Sequence, residues 1–160
     1  MNQGFEYMKN LQTTELVEII KNIWGFEETS AAMLELHDRD ENKVLEMGLE
    51  ILEKNKGDDY LQATVFDIIY DINPSMVLEA LEKRKYSLTV VLLGDVMSAI
   101  SIDCYKKQIP RFTTELIHNI LEQYDSLNLE QKSMITKSYI EFIEAISEKL
   151  NYKSKCTNKE

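Results

Sequence analysis

The hexapeptide Leu49-Glu50-Ile51-Leu52-Glu53-Lys54 returns 29 positions later as Leu78-Glu79-Ala80-Leu81-Glu82-Lys83, and Asp67-Ile68-Ile69-Tyr70-Asp71-Ile72 is echoed 28 positions on by Asp95-Val96-Met97-Ser98-Ala99-Ile100. A period of this length fits a helical hairpin, and one helix pair cannot bury both of its apolar faces. Chains that repeat such a unit fold by stacking the copies, and stacking creates an extended surface suited to binding. The repeat therefore limits the fold before any chemistry is considered.

Glycine occurs five times and proline twice, while Leu, Ile, Glu and Lys recur at helical spacing. An all-β chain needs breakers about every ten residues, so the pattern predicts an all-α chain of about eight helices. The first is expected over about Glu15 to Trp24, capped by Thr13 or Thr14 and stopped at Gly25, and the second over about Glu27 to His37. Asp38 and Glu41 have capping-box spacing before a third helix that ends near Asn55, at Lys56-Gly57. Its core stripe is Val44, Leu45, Gly48, Ile51 and Leu52, and Glu50 with Lys54 is ordered for an i,i+4 ion pair that Glu79 and Lys83 repeat.

Asp58 is placed to cap a helix over about Asp59 to Ile72, with Leu61, Val65, Ile68 and Ile72 on one side. Asn73-Pro74 opens the next, to about Lys85, because asparagine caps well and proline costs nothing at the first helical position. Ser87 precedes a nearly uninterrupted apolar helix, about Leu88 to Ile102, expected to be central. Beyond Pro110 lie helices over about Thr114 to Tyr124 and, opened by Asn128 and Gln131 at capping-box spacing, to about Leu150, with a stripe of Ile135, Tyr139, Phe142, Ile143 and Ile146. Residues 1–150 are read as one helical-repeat domain and 151–160 as a flexible tail without an apolar period.

At 160 residues and 44% apolar content the chain can build a core without disulfides or metals. Its 28 acids and 18 bases give a formal charge of −10, which repels phosphate backbones and acidic lipid surfaces and favours a basic protein partner. Neither nucleic acid nor a membrane is expected as a partner. Cys104 and Cys156 form no recognisable disulfide framework, and no stretch has the apolar length of a membrane span, so the expected location is the cytoplasm.

Signs of catalysis are sparse. His37 and His118 stand in no metal-ligand spacing, and neither a phosphate-binding glycine loop nor a nucleophile elbow is found. The chain is read as a non-enzyme with no cofactor and no metal. What stands out is charge: between Glu27 and Tyr60 eleven acids face four bases, a local net charge of −7. Further along, Asp67 and Asp71 share a helical face, where like charges repel unless solvated or met by a cation. If successive hairpins stack, Asp59, Asp67, Asp71 and Asp95 form an acidic patch edged by Tyr70, with Asp58 and Glu53 at its rim. The plainer reading puts Phe66 and Tyr70 in the core and leaves the aspartates to keep a helix soluble.

The pairing of helices over Asn42 to Asp103 resembles HEAT-like or armadillo-like α-solenoids, with a shorter period than the roughly 40 to 47 residues of those repeats. Together with the acidic character and the capped hairpins, the Leu49–Lys54 and Leu78–Lys83 echo resembles the HEAT-like immunity proteins of bacterial contact-dependent growth inhibition and related polymorphic toxin systems. That resemblance implies neutralisation of a cognate toxin domain, such as a nuclease with a basic cleft, with Tyr70 as the aromatic anchor of the acidic patch. An adaptor or regulatory scaffold that binds a peptide or protein on the same surface is the alternative. A HEAT-like DNA glycosylase would need a basic groove, against which the charge argues.

Overall fold

The computed structural model describes residues 3–106 and 114–157, and all regular structure among them is helical. A 3-10 helix, Gln3–Asn10, precedes α1 (Thr13–Asn22), α2 (Phe26–Arg39), α3 (Glu41–Glu53), α4 (Asp59–Ile72) and α5 (Pro74–Lys83). Then come α6 (Val90–Tyr105), α7 (Thr114–Ser126) and α8 (Leu129–Thr157). Pro110 lies outside the described residues, whereas the backbone of the segment expected as a tail continues as helix to Thr157.

Contacts divide the chain into two compact units, Met1–Ser87 and Leu88–Glu160. The boundary falls within the second expected hairpin, so α5 belongs to the first unit and α6 to the second. In the first unit, α2 packs on α1, α3, α4 and the 3-10 helix, and α5 packs on both α3 and α4. In the second, α6 packs on α8 and α7.

Several starts follow the sequence closely. Asp58 Oδ1 accepts a hydrogen bond from Leu61 N at 2.8 Å, Asn73 Oδ1 accepts one from Met76 N at 3.1 Å, and Pro74 opens α5. Asn128 and Gln131 form the reciprocal box: Gln131 N donates to Asn128 Oδ1 at 2.9 Å and Asn128 N to Gln131 Oε1 at 3.0 Å.

Others shift by a residue or two. Thr13 is itself helical, and Gln12 precedes α1, its N–H held by the Glu15 carboxylate at 2.7 Å. The Asp38–Glu41 box gives way because α2 continues through Arg39, leaving Asp40 to cap α3 by accepting from Lys43 N at 3.0 Å. Thr89, not Ser87, precedes α6. Helix α1 stops before Gly25, with Ile23 in the left-handed region at φ 48°. A β-branched side chain there costs about 1 kcal/mol or more, so the surrounding packing holds this corner against local preference.

The core of the first unit contains the expected α3 stripe, Val44, Leu45, Gly48, Ile51 and Leu52, together with Met47. On α4 the buried face is rotated from the expected one: Leu61 and Val65 are joined by Phe66, Ile69 and Tyr70, while Ile68 and Ile72 are only half-buried. Gly48 sets the α3–α4 crossing, since a Cβ there would lie 2.4 Å from Ile69 Cγ2 and 3.3 Å from Val65 Cγ1. Close passage of the two backbones requires glycine at that point.

Gly94 has the same part in the second unit. A Cβ on it would lie 2.7 Å from Ile135 Cγ2, at the residue where α8 bends with φ −125° and ψ 15°. Four residues later on α6, Ser98 Oγ and Ser138 Oγ are hydrogen-bonded at 2.9 Å. Leu92, Leu93, Val96, Met97 and Ile100 are buried on α6, as are Ile135, Phe142 and Ile146 on α8; Tyr139 and Ile143 are half-buried. Tyr139 stacks on Tyr124 with ring centroids 3.7 Å apart, and Lys132 Nζ lies 5.5 Å from the Tyr124 ring centroid.

Candidate protein-binding surface

The geometry of the acidic region begins at the α3–α4 loop. Helix α3 closes with Asn55 in the left-handed region at φ 54°, and Lys56 N reaches back to Ile51 O at 3.0 Å. This Schellman-type closure satisfies a carbonyl at the helix end. It also turns the Asn55 side chain toward two partners: Asn55 Oδ1 accepts from Arg84 Nη2 at 2.7 Å and from Gln62 Nε2 at 3.1 Å.

Arg84 ties the loop to the end of α5. Its Nη1 donates to Leu52 O at 2.6 Å and to the buried Gln62 Oε1 at 2.9 Å. Its Nε donates to Tyr86 O and its Nη2 also to Ser87 O, each at 3.0 Å. Arg84 stands 29 residues after Asn55, so the residues following the two copies of the repeated hexapeptide are bonded to each other. Burial pushes the Arg84 pKa down from its ordinary value, the sign of a guanidinium whose solvation has been replaced by protein acceptors.

On the outer side of the same loop, Glu53 and Asp58 are exposed, Asp59 is half-buried, and Tyr60 is 62% exposed. Along α4 the positions 60, 64, 67 and 71 fall within about 60° of arc at 3.6 residues per turn. Tyr60, Asp67 and Asp71 are exposed and Thr64 half-buried, so this stripe is the solvent face of α4. Asp67 and Asp71 thus share one face of α4, Asp58 and Asp59 stand at the start of that helix, and Glu53 ends α3 on the other side of the loop.

Tyr70 is not on that face. It is only 7% exposed and packs against the fully buried Phe66, ring centroids 5.0 Å apart and planes tilted by 37°. This corrects its expected place at the edge of the patch and agrees with the core reading of both rings; the physical reason is that positions 62, 66, 69 and 70 share the buried side of α4. Asp95 is half-buried on α6, in the second unit. The aromatic residue that accompanies the acidic stripe is Tyr60, and the 60-64-67-71 spacing of non-core residues is the sequence signal for it.

The two units differ sharply in charge. Residues 1–87 hold 18 acids and 9 bases, a net charge of −9, whereas residues 88–160 hold 10 acids and 9 bases, a net charge of −1. Part of the acidity of the first unit is locally paired. Glu50 Oε1 accepts from Lys54 Nζ at 2.9 Å and from Lys56 Nζ at 3.0 Å, and Glu79 is bonded to Lys83. The hydrogen bonds from Lys54 and Lys56, with the charge of Lys56, lower the Glu50 pKa from 4.5 to about 2.

A depressed carboxylate pKa contributes stability that is present above about pH 4.5 and is lost as pH falls through about 2. The thermal midpoint of Glu50→Gln should therefore lie below that of the parent chain at pH 7, by an amount expected of an exposed ion pair, and the gap should close on titration to pH 2. Melting curves across that range check it. A gap that widens toward pH 2 would contradict the assignment.

Both histidines sit beside carboxylates near helix ends or on outer faces: His37 Nε2 is 3.7 Å from Glu41 Oε1, and His118 Nε2 is 3.2 Å from Glu122 Oε1. Among the described residues, no three His, Cys, Asp or Glu side chains converge in a manner suited to a metal ion, and no helix is long and apolar enough to cross a membrane. Compared with known protein families, with curated proteins and with solved structures, the chain matches none.

Proposed function

We propose that this chain is a non-enzymatic binding protein that takes a basic protein partner onto its first unit, in the manner of an immunity protein neutralising a cognate toxin domain. The observation that carries the reading is the segregation of charge, −9 on residues 1–87 against −1 on the remainder. A field concentrated on one unit steers a cationic partner toward that unit and raises the association rate. Packing of α5 on both α3 and α4 is the arrangement that stacked HEAT-like hairpins would give, and it supports the solenoid reading within residues 41–83. The solvent face of α4 supplies the docking elements, with Asp67 and Asp71 providing charge and Tyr60 providing apolar area with a hydrogen-bonding tip. Toxins with basic catalytic clefts, nucleases foremost, are the fitting partners, and binding is cytoplasmic.

The test uses the purified full chain and a basic toxin-type nuclease domain, sought first in the neighbouring coding sequence. Charge reversal by Asp67→Lys with Asp71→Lys should slow association about tenfold at low ionic strength and flatten its salt dependence, with circular dichroism unchanged. Stopped-flow association over a salt series measures both. Equal rates for parent and variant at every salt concentration would remove the α4 face from the interface.

A further inference from the structure

Alongside α2, on the first unit, lies a concavity separate from the acidic α4 face. The 3-10 helix and α2 enclose an open groove of about 650 Å3, a size within the roughly 300–1,000 Å3 of ligand-binding clefts. Its apolar contributors are Phe5, Met8, Phe26, Ala31 and Leu34. Phe26 is 41% and Leu34 55% exposed, and Tyr7 and Trp24 are also open to solvent nearby in sequence. Single exposed apolar side chains need no explanation, but several sharing one groove mark an interaction site.

The α2 wall is contributed by positions 26 and 27, 30 and 31, 34 and 35, and 38, one helical face repeated at every turn. Over that span the groove follows α2 for about 18 Å at 1.5 Å per residue. A three-turn helix laid alongside would meet it with apolar side chains at i, i+3 or i+4, and i+7. Ser30 Oγ, on the same wall, is shielded from solvent and has no hydrogen-bond partner among the described residues.

Charge selects the occupant. Glu6, Glu27, Glu35 and Asp38 border the groove against the single cation Lys9. Glu35 is neutralised by Arg39 at 2.6 Å, whereas Glu6 and Glu27 have no ion-pair partner among the described residues. A second copy of the chain carries the same net charge of −10 and the same acidic rim, so self-pairing is disfavoured. We infer that the groove between the 3-10 helix and α2 receives a basic amphipathic helix of a protein partner, its apolar stripe on Phe26, Ala31 and Leu34 and its cations against Glu6, Glu27 and Asp38.

The inference deepens the binding reading above and takes from it only the sign of the partner's charge. A fluorescein-labelled helical peptide of leucine at i, i+3, i+4 and i+7 with lysine elsewhere is the probe, titrated into the full chain and followed by anisotropy and by amide shifts in 15N-labelled protein. The expected result is saturable binding with shifts concentrated in residues 5–9 and 26–38. Leu34→Lys, at an exposed helical position, should weaken binding at least tenfold without loss of helicity. A scrambled peptide of the same composition, and one with glutamine for lysine, should each bind at least tenfold more weakly.

Equal binding of the scrambled peptide would overturn the proposal in favour of diffuse electrostatics, and equal binding of the glutamine peptide would overturn the basic class of partner. Shifts confined to α4, or parent-like affinity of Leu34→Lys, would also overturn it. A concentration-dependent dimer that Leu34→Lys dissolves would assign the groove to self-association instead. Asp67→Lys with Asp71→Lys should leave peptide affinity within about twofold, which separates failure at this groove from failure of the α4 interface.

Discussion

Replacing Arg84 by alanine should lower the stability of the first unit by about 2–4 kcal/mol, an unusual loss for a partly exposed residue and one that follows from the acceptors left behind. Its guanidinium serves Leu52 O, Asn55 Oδ1, Gln62 Oε1, Tyr86 O and Ser87 O. Gln62 is almost fully buried, so its carbonyl oxygen cannot simply turn to water when the donor is removed. Arg84→Lys keeps the charge but has no planar fork to serve several acceptors at once, and should recover only a minor part of the loss. Hydrogen exchange resolved to peptides from α3, α4 and α5 in the full chain measures the effect. A change under about 0.5 kcal/mol would show that solvent replaces the guanidinium at little cost.

Leu52→Ala should destabilise the same unit by about 2–5 kcal/mol through lost transfer free energy and the cavity left in a packed core. Leu52 is fully buried, and it lies in the last turn of α3 beside the carbonyl that receives Arg84 Nη1 at 2.6 Å. The two substitutions therefore act on one locus, and their combined effect should depart from the sum by about 0.5–3 kcal/mol. Urea unfolding of the two single variants and the double variant gives the coupling directly. Strict additivity would mean that relaxation of the α3 end does not reach the Arg84 acceptors.

Much of the helical layout was legible because it is written in short-range chemistry. Asp58, Asn73-Pro74 and the Asn128–Gln131 pair act within one turn of themselves, so their spacing is sufficient to place a helix start. Where two readings compete over neighbouring residues, tertiary packing decides. Asp38 and Asp40 are both good caps, and Asp40 takes the position because α2 persists through Arg39, whose guanidinium reaches Leu11 O at 2.7 Å and Lys9 O at 3.0 Å across the fold. The bonds that hold Arg39 in the helix span 28 and 30 residues, beyond the reach of a local pattern.

The candidate face on α4 was harder to read for a related reason. On α4 both Tyr60 and Tyr70 border aspartates in the sequence, and only the direction of the core separates them. Ile68 and Ile72 suggested one buried stripe, whereas α2, α3 and α5 all press on α4 and pull the buried side toward Phe66 and Tyr70. The groove beside α2 was invisible for another reason. Phe26, Ala31 and Leu34 look like ordinary core residues until the 3-10 helix is seen to leave them open.

The crowding of carboxylates into the first unit has a cost in cohesion as well as its proposed use. With 18 acids among 87 residues and half as many bases, the folded unit holds like charges closer together than the unfolded chain would. Dissolved electrolyte relieves that internal pressure and, in the same titration, would veil the field offered to the basic partner proposed above. Under the proposed reading, firmness and reach respond to brine with opposite sign, and the conditions that make the unit hardest to melt are those in which a basic partner would be captured most slowly.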